Sequence, residues 1–277
     1  MTGFAEKMDK LIFYDQILLE DSRYIGITED EIERYIAYKI QRFMNKYVIN
    51  PKSFIYYNAT ENEIRELMNI LPIHNSIMNS VTYVLYREDV DYCVLIDCGE
   101  WETLKPVIER IGKSVKAVLL THGHSDHIYG LVGLLQMYPE AEVYTTEYGH
   151  LELQSDRKNL SFYHGYPFTV MGYHQKTLIG GEVLHFEGLT DVEVIASPGH
   201  SPSCLSYKIS SSLASEFHGF KGVLFTGDAY IPGINVFTKF PKANKQLAEE
   251  SRTVLSQIES EGYIIYYGHH DYEDLVK

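Results

Sequence analysis

Three histidines and an aspartate fall within six consecutive positions, His122 to His127, and this crowding constrains the chain more than any other feature. The stretch Thr121–Tyr129 reads T-H-G-H-S-D-H-I-Y. It follows Val115–Leu120, an apolar run with polar flanks that the pattern predicts to be a buried strand. The ligand-type side chains therefore belong at a strand's carboxyl end. In an extended turn His122 and His124 point the same way and can share one cation, while adjacent Asp126 and His127 diverge and can serve a second. Gly123 and Ser125 are small enough for the turn to close. The competing reading makes Asp126 the N-cap of a helix from Gly130 to Met137, with the histidines nearby by coincidence. The density of ligand types in one turn favours metal binding.

Flanking this turn, the chain shows two regimes. Up to about residue 72 the pattern is helical: Phe4, Met8, Leu11, Ile12 and Leu19 recur at helical spacing. Two capping boxes follow, at Thr28–Glu31 and Thr60–Glu63. The first leads into an apolar stripe of Ile32, Ile36, Ile40, Phe43 and Tyr47. The second leads into Ile64, Leu67, Met68 and Leu71, stopped by Pro72. The predicted division is a helical extension over 1–72 and a second domain over 73–277 that carries the histidine turn. The apolar stripes of the extension must be covered, either by the domain or by a second chain, and a homodimer through these helices or a lid that shapes the pocket is the expectation.

Beyond residue 72 strands and helices alternate. Strands are predicted at 81–86, 92–97, 115–120, 143–145, 182–186, 192–196, 204–209, 223–225 and 263–267, with helices over 101–111, 130–137, 147–153 and 244–258. Such alternation argues for a layered α/β fold. Residues 155–180 carry no clear period and are expected as a loop, with Asn159–His164 near the mouth of the site. Ser210–Phe220 reads as a surface hairpin loop.

Composition excludes some partners. Lys plus Arg number 24 against 38 Asp plus Glu, a net charge of −14. That charge opposes attraction to nucleic-acid phosphates and anionic lipid, so neither is an expected partner; a small-molecule substrate is. Hydrophobic residues make up 45%, ample for a large core. The three cysteines, Cys93, Cys98 and Cys204, lie in apolar runs and suggest no disulfide framework. No apolar stretch approaches the roughly 20 residues needed to span a bilayer, and the N-terminus lacks a leader-like apolar run. The expected location is the cytoplasm.

Three later turns place ligand types at predicted strand ends: Ser197-Pro198-Gly199-His200, Thr226-Gly227-Asp228 and Gly268-His269-His270. Taken with the H-x-H-x-D-H turn, they occur in an order that resembles the metallo-β-lactamase superfamily of metal-dependent hydrolases. The resemblance implies a four-layer αββα fold with the metals at one edge of two facing sheets. It implies two divalent metal ions per chain, zinc before iron or manganese. By motif, His122, His124 and His200 would hold the first ion, Asp126, His127 and His269 the second, and Asp228 both. His270 competes with His269 for the last position, His269 being preferred. Asp97, in I-D-C-G, matches an aspartate that supports the metal turn from behind.

The implied reaction is attack on a thioester, ester or lactone carbonyl by a metal-bridging hydroxide. Asp126 would orient the nucleophile and move a proton to the leaving group, and Tyr230 would donate to the oxyanion. Residues 197–204 and 224–228 are similar to glyoxalase II, and the end of the chain to acyl-homoserine lactonases. The chain stops eight residues after His269, so the C-terminal helical domain that binds glutathione in glyoxalase II is not expected. The alternatives are a persulfide dioxygenase with one iron and, disfavoured by charge, a nuclease. His74, His150, His164, His174, His185 and His218 lack ligand spacing and are expected at the surface or in the core, with His164 the one that could reach substrate.

Overall fold

A computed structural model of the protein describes residues 68–210 and 221–269. The predicted N-terminal helices before residue 68, the loop over 211–220 and His270 lie outside the described residues.

Two sheets organise the described chain. The first has six strands in the order β1 (Asn69–His74), β2 (Val81–Tyr86), β3 (Tyr92–Ile96), β4 (Ser114–Leu119), β5 (Glu142–Thr145) and β6 (His174–Thr177). Pairing is antiparallel from β1 to β3 and parallel from β3 to β6. The second sheet runs β11 (Tyr263–Tyr267), β10 (Gly222–Gly227), β9 (Leu205–Ser210), β8 (Thr190–Ala196) and β7 (Val183–Phe186). Only β10 and β11 pair in parallel there.

Side-chain alternation then sorts each strand's apolar residues into layers. Leu85, Val94, Ile96 and Leu119 from the first sheet meet Val192, Val194, Tyr207, Phe225 and Tyr266 from the second, forming the central core. Their neighbours Val84, Cys93, Leu95 and Val118 face the other way. They pack on Leu104 and Ile108 of α1 (Trp101–Ile111) and on Leu131 and Leu134 of α3 (Leu131–Met137). On the far side Leu224 and Tyr263 pack against Leu255 of α6 (Lys245–Ser260). The layers are therefore helix, sheet, sheet, helix, as the resemblance implies. Leu85 is fully buried in the central core, where truncation to alanine costs about 2–5 kcal/mol.

Three stretches depart from the pattern reading. Leu71 and Pro72, read as the end of a helix, lie in β1, where Pro72 pairs with Tyr83. β1 is an edge strand, and an edge is where a sheet tolerates a residue with no amide hydrogen. The segment 155–180 contains a helical turn, α5 (Ser161–His164), and the edge strand β6. All four β6 residues, H-Q-K-T, are exposed, so no apolar alternation marks them. The predicted helix over 130–137 begins one residue later and is preceded by a separate turn, α2 (Ser125–Ile128), whose N-cap is His124 and not Asp126. Among the described residues no helix is long and apolar enough to cross a membrane.

Candidate metal centre

Four loops at one edge of the facing sheets carry the ligand-type residues. The turn after β4 supplies His122 and His124, and α2 supplies Asp126 and His127; His200 lies between β8 and β9. Asp228 follows β10 and His269 follows β11. Backbone bonds fix these loops to one another. Leu205 N–H donates to the Thr121 carbonyl at 2.8 Å, joining the two sheets, and Gly268 N–H donates to the Gly227 carbonyl at 2.9 Å. Glycine is required at 268, where a Cβ would stand 2.5 Å from Asp228 Oδ1 and 2.8 Å from His127 Cε1.

All seven predicted positions converge. His122, His124 and His200 form one cluster, and Asp126, His127 and His269 a second. His122, His127 and Asp228 form a third that joins them. Within each, the potential ligand atoms lie within 4.8 Å of one another. His124 Nδ1 and His200 Nε2 are 3.0 Å apart, and His127 Nε2 and His269 Nε2 are 3.3 Å apart. Asp228 straddles the clusters, with Oδ2 3.4 Å from His200 Nε2 and 3.1 Å from His269 Nε2, and Oδ1 3.4 Å from His127 Nε2.

The outward nitrogens reveal how the rings are held. His127 Nδ1 donates to Asp97 Oδ2 at 2.8 Å, His200 Nδ1 to the Phe237 carbonyl at 2.9 Å, and His269 Nδ1 to the Met78 carbonyl at 2.8 Å. Each bond commits Nδ1 as the donor and turns Nε2 inward, the arrangement found behind metal-ligating histidines. His122 Nδ1 lies 3.2 Å from Thr121 Oγ1, and its Nε2 is buried with no hydrogen-bond partner. A buried nitrogen left without a partner is unfavourable alone. Tetrahedral zinc at about 2.1 Å from each nitrogen would separate ligands by about 3.4 Å, so the donor set fits a divalent cation.

The clusters differ in charge. Burial, then the neighbouring imidazoles, holds His122 and His124 well below the usual histidine range. Burial also lowers His200, although Asp228 opposes it. For His127 burial acts in the same direction, but Asp126, Asp97 and Asp228 together outweigh it and raise the group well above its ordinary value. His269 is raised in the same way, Asp228 overcoming burial. Burial resists ionisation of Asp228, yet His269, His127 and His200 hold its carboxyl well below the usual range.

Asp97 occupies the supporting place expected of it. Its Oδ1 accepts from Thr121 N–H at 2.7 Å and its Oδ2 from the Thr121 hydroxyl at 2.7 Å as well as from His127. It does so at φ +59°, a left-handed conformation unusual outside glycine.

Tyr230 is a correction. Its hydroxyl donates to Glu259 Oε2 at 2.5 Å, and its ring packs with Leu224, Leu255 and Tyr263 behind the second sheet. The hydroxyl therefore does not reach the clustered ligands, and the oxyanion role falls. Proximity in sequence to Asp228 misled because the chain turns between them.

Glu152 is the residue that pattern reading missed. It is 1% exposed and accepts from Gly123 N–H at 3.1 Å, the Ser201 hydroxyl at 2.6 Å and the Ser203 hydroxyl. Burial pushes its carboxyl up to about 7 against those donors. A lone glutamate in a short helix carries no motif, so only its three-dimensional partners single it out. His164, on the expected loop, places Nδ1 3.0 Å from Ser125 Oγ. His174 and His185 are exposed, beside Glu140 and Asp191 respectively, and His150 is buried against Tyr173.

The sequence model of the metallo-beta-lactamase superfamily matches residues 78–269. The chain belongs to that superfamily. Similar proteins include the uncharacterized protein YobT of Bacillus subtilis, 27% identical over 152 residues, 52% of this chain and 59% of that protein. A hydroxyacylglutathione hydrolase of Enterobacter sp. strain 638 is 31% identical over 163 residues, 58% of this chain and 56% of the relative. The chain spans about half the length of the curated relatives it matches. Among solved structures, the BLEG-1 B3 metallo-beta-lactamase superposes with a TM-score of 0.62 at 25% identity, covering 72% of this chain and 91% of that one. ETHE1 from Myxococcus xanthus shares the fold at a TM-score of 0.53 and 20% identity, over 72% of this chain and 75% of that one.

Proposed function

We propose that the protein is a hydrolase that holds two divalent cations, zinc foremost, and cleaves a thioester, ester or lactone of a small molecule. The observation that carries this reading is the convergence of seven ligand-type side chains into two adjoining pockets bridged by one carboxylate. Bound cations would supply a water acidic enough to ionise near neutral pH and positive charge against a developing oxyanion. The chain's own groups do the rest. Asp126, with Oδ2 3.4 Å from His127 Nε2 and 3.5 Å from His269 Nε2, would orient the attacking water and carry a proton to the leaving group. Asp97 would keep His127 in the tautomer that leaves Nε2 free to coordinate.

The wall beside the first pocket is apolar. Phe240 packs edge-on against His124 and His200, with ring centroids 5.1 and 5.5 Å away, and Phe237 stands 4.7 Å from Phe240. Phe237 is half exposed, so an acyl group with apolar carbons would find a surface to cover there. The relatives named hydroxyacylglutathione hydrolase make thioesters the first class to try.

The test is metal analysis of purified protein together with a panel of thioesters, esters and lactones. The expected outcome is two zinc ions per chain and turnover that a chelator abolishes and zinc restores. One iron per chain with oxygen uptake on a persulfide would overturn the reading, as would no turnover of any carbonyl substrate.

A further inference from the structure

We propose that Glu152 is a positioning residue that clamps the two donor turns of the first pocket together and thereby sets that pocket's hold on its cation. The inference rests on the metal-binding reading above.

Its carboxylate reaches loops of both sheets. Gly123, whose N–H meets Glu152 Oε2 at 3.1 Å, stands between His122 and His124 in the turn after β4. Ser201, whose hydroxyl donates to Oε1 at 2.6 Å, is the residue after His200 in the loop between β8 and β9. The Ser203 hydroxyl donates to Oε2, and the Ser201 and Ser203 hydroxyls lie 3.0 Å apart. One carboxylate therefore ties both ligand-bearing turns, Gly123 and Ser201 each standing one residue from a ligand and Ser203 three.

Local packing fits a clamp rather than incidental burial. A Cβ at position 123 would come 2.5 Å from both Glu152 Cβ and Oε2, so the glycine between the ligands leaves the space that the glutamate fills. The three contacts made to the carboxylate are all donors, from one amide and two hydroxyls, and a buried carboxylate persists where such donors replace water. The first pocket's own donors are three imidazoles, whose directions depend on the turns that carry them. Asp97 supports the second pocket by gripping His127 directly; Glu152 supports the first through backbone and hydroxyl groups.

The test compares wild type with Glu152→Ala, Glu152→Gln and Ser201→Ala. Each protein is loaded with cobalt(II), titrated with a chelator to resolve the two affinities, and followed by its visible spectrum and thermal midpoint. The expected result is a 10- to 100-fold loss of affinity at one of the two sites in E152A, an estimate taken from other outer-shell partners. The same variant should show an altered cobalt spectrum, E152Q should recover most of the loss, and S201A should show a smaller loss at the same site. Wild-type affinities and spectrum in E152A would overturn the inference alone. So would equal weakening of both sites alongside a fallen midpoint, which marks a merely structural role. Should E152A fail to fold, S201A decides, and an unchanged affinity there overturns the clamp. A wild-type protein that binds no pair of cations removes the proposed function and this inference with it.

Discussion

In the pocket of His122, His124 and His200, burial keeps three imidazoles neutral. In the adjoining pocket of Asp126, His127 and His269, carboxylates override the same burial and draw protons onto the histidines. A single H-x-H-x-D-H turn feeds both, so the difference comes from what each half meets across the cleft. The first half meets His200, and the second meets Asp97 behind it and His269 before it. Similar ligand lists can thus differ in readiness: the first pocket can accept a cation without releasing protons, whereas the second must shed them.

Asp228 is where the comparison is most easily broken, because both pockets lean on it. Asp228→Ala should cut kcat/KM by roughly 10³-fold, a loss of about 4 kcal/mol in transition-state stabilisation, and lower metal content at both sites. Steady-state assay of the best substrate with metal analysis measures this. Loss of only one ion would show that the carboxylate belongs to one pocket.

A smaller, unequal effect is expected behind the second pocket. Asp97→Asn should weaken the second cation by about 10- to 100-fold and the first, which it touches only through Thr121, by less, read by chelator competition. Equal weakening of both ions would erase the distinction between the pockets.

Proton linkage sharpens the contrast further. His122, His124 and His200 sit below the ordinary value of 6.5, so the first affinity should level off by about pH 6.5. His127 and His269 sit above 6.5, so the second affinity should keep rising beyond that pH, by about tenfold per unit for each proton displaced. Two parallel pH profiles from cobalt titration would contradict this.

The least effect is expected at Tyr230, outside both pockets. Tyr230→Phe should leave kcat within about twofold while removing the bond to Glu259. That bond is worth about 1 kcal/mol, or a fall of roughly 2–4 °C in Tm. A tenfold drop in kcat would return the hydroxyl to the reaction.

Much of this molecule was legible in the order of its residues. Strands of alternating or continuous apolar character announced themselves, as at Val81–Tyr86 and Tyr263–Tyr267, because a buried sheet needs apolar side chains along its length. The metal turn did too, because no packing role calls for three histidines and an aspartate together. Edge strands β1 and β6 were not legible: one carries a proline and the other no apolar residue, and an edge is specified by its neighbour's free hydrogen bonds.

The direction of a hydroxyl such as that of Tyr230 and the partners of Glu152 were set by contacts between residues far apart in the chain. So was the difference between the two pockets. Residue types can be read locally because chemistry resides in single side chains. Proton affinity and ring orientation depend on distance and burial, which exist only once the two sheets have brought their loops to a common edge.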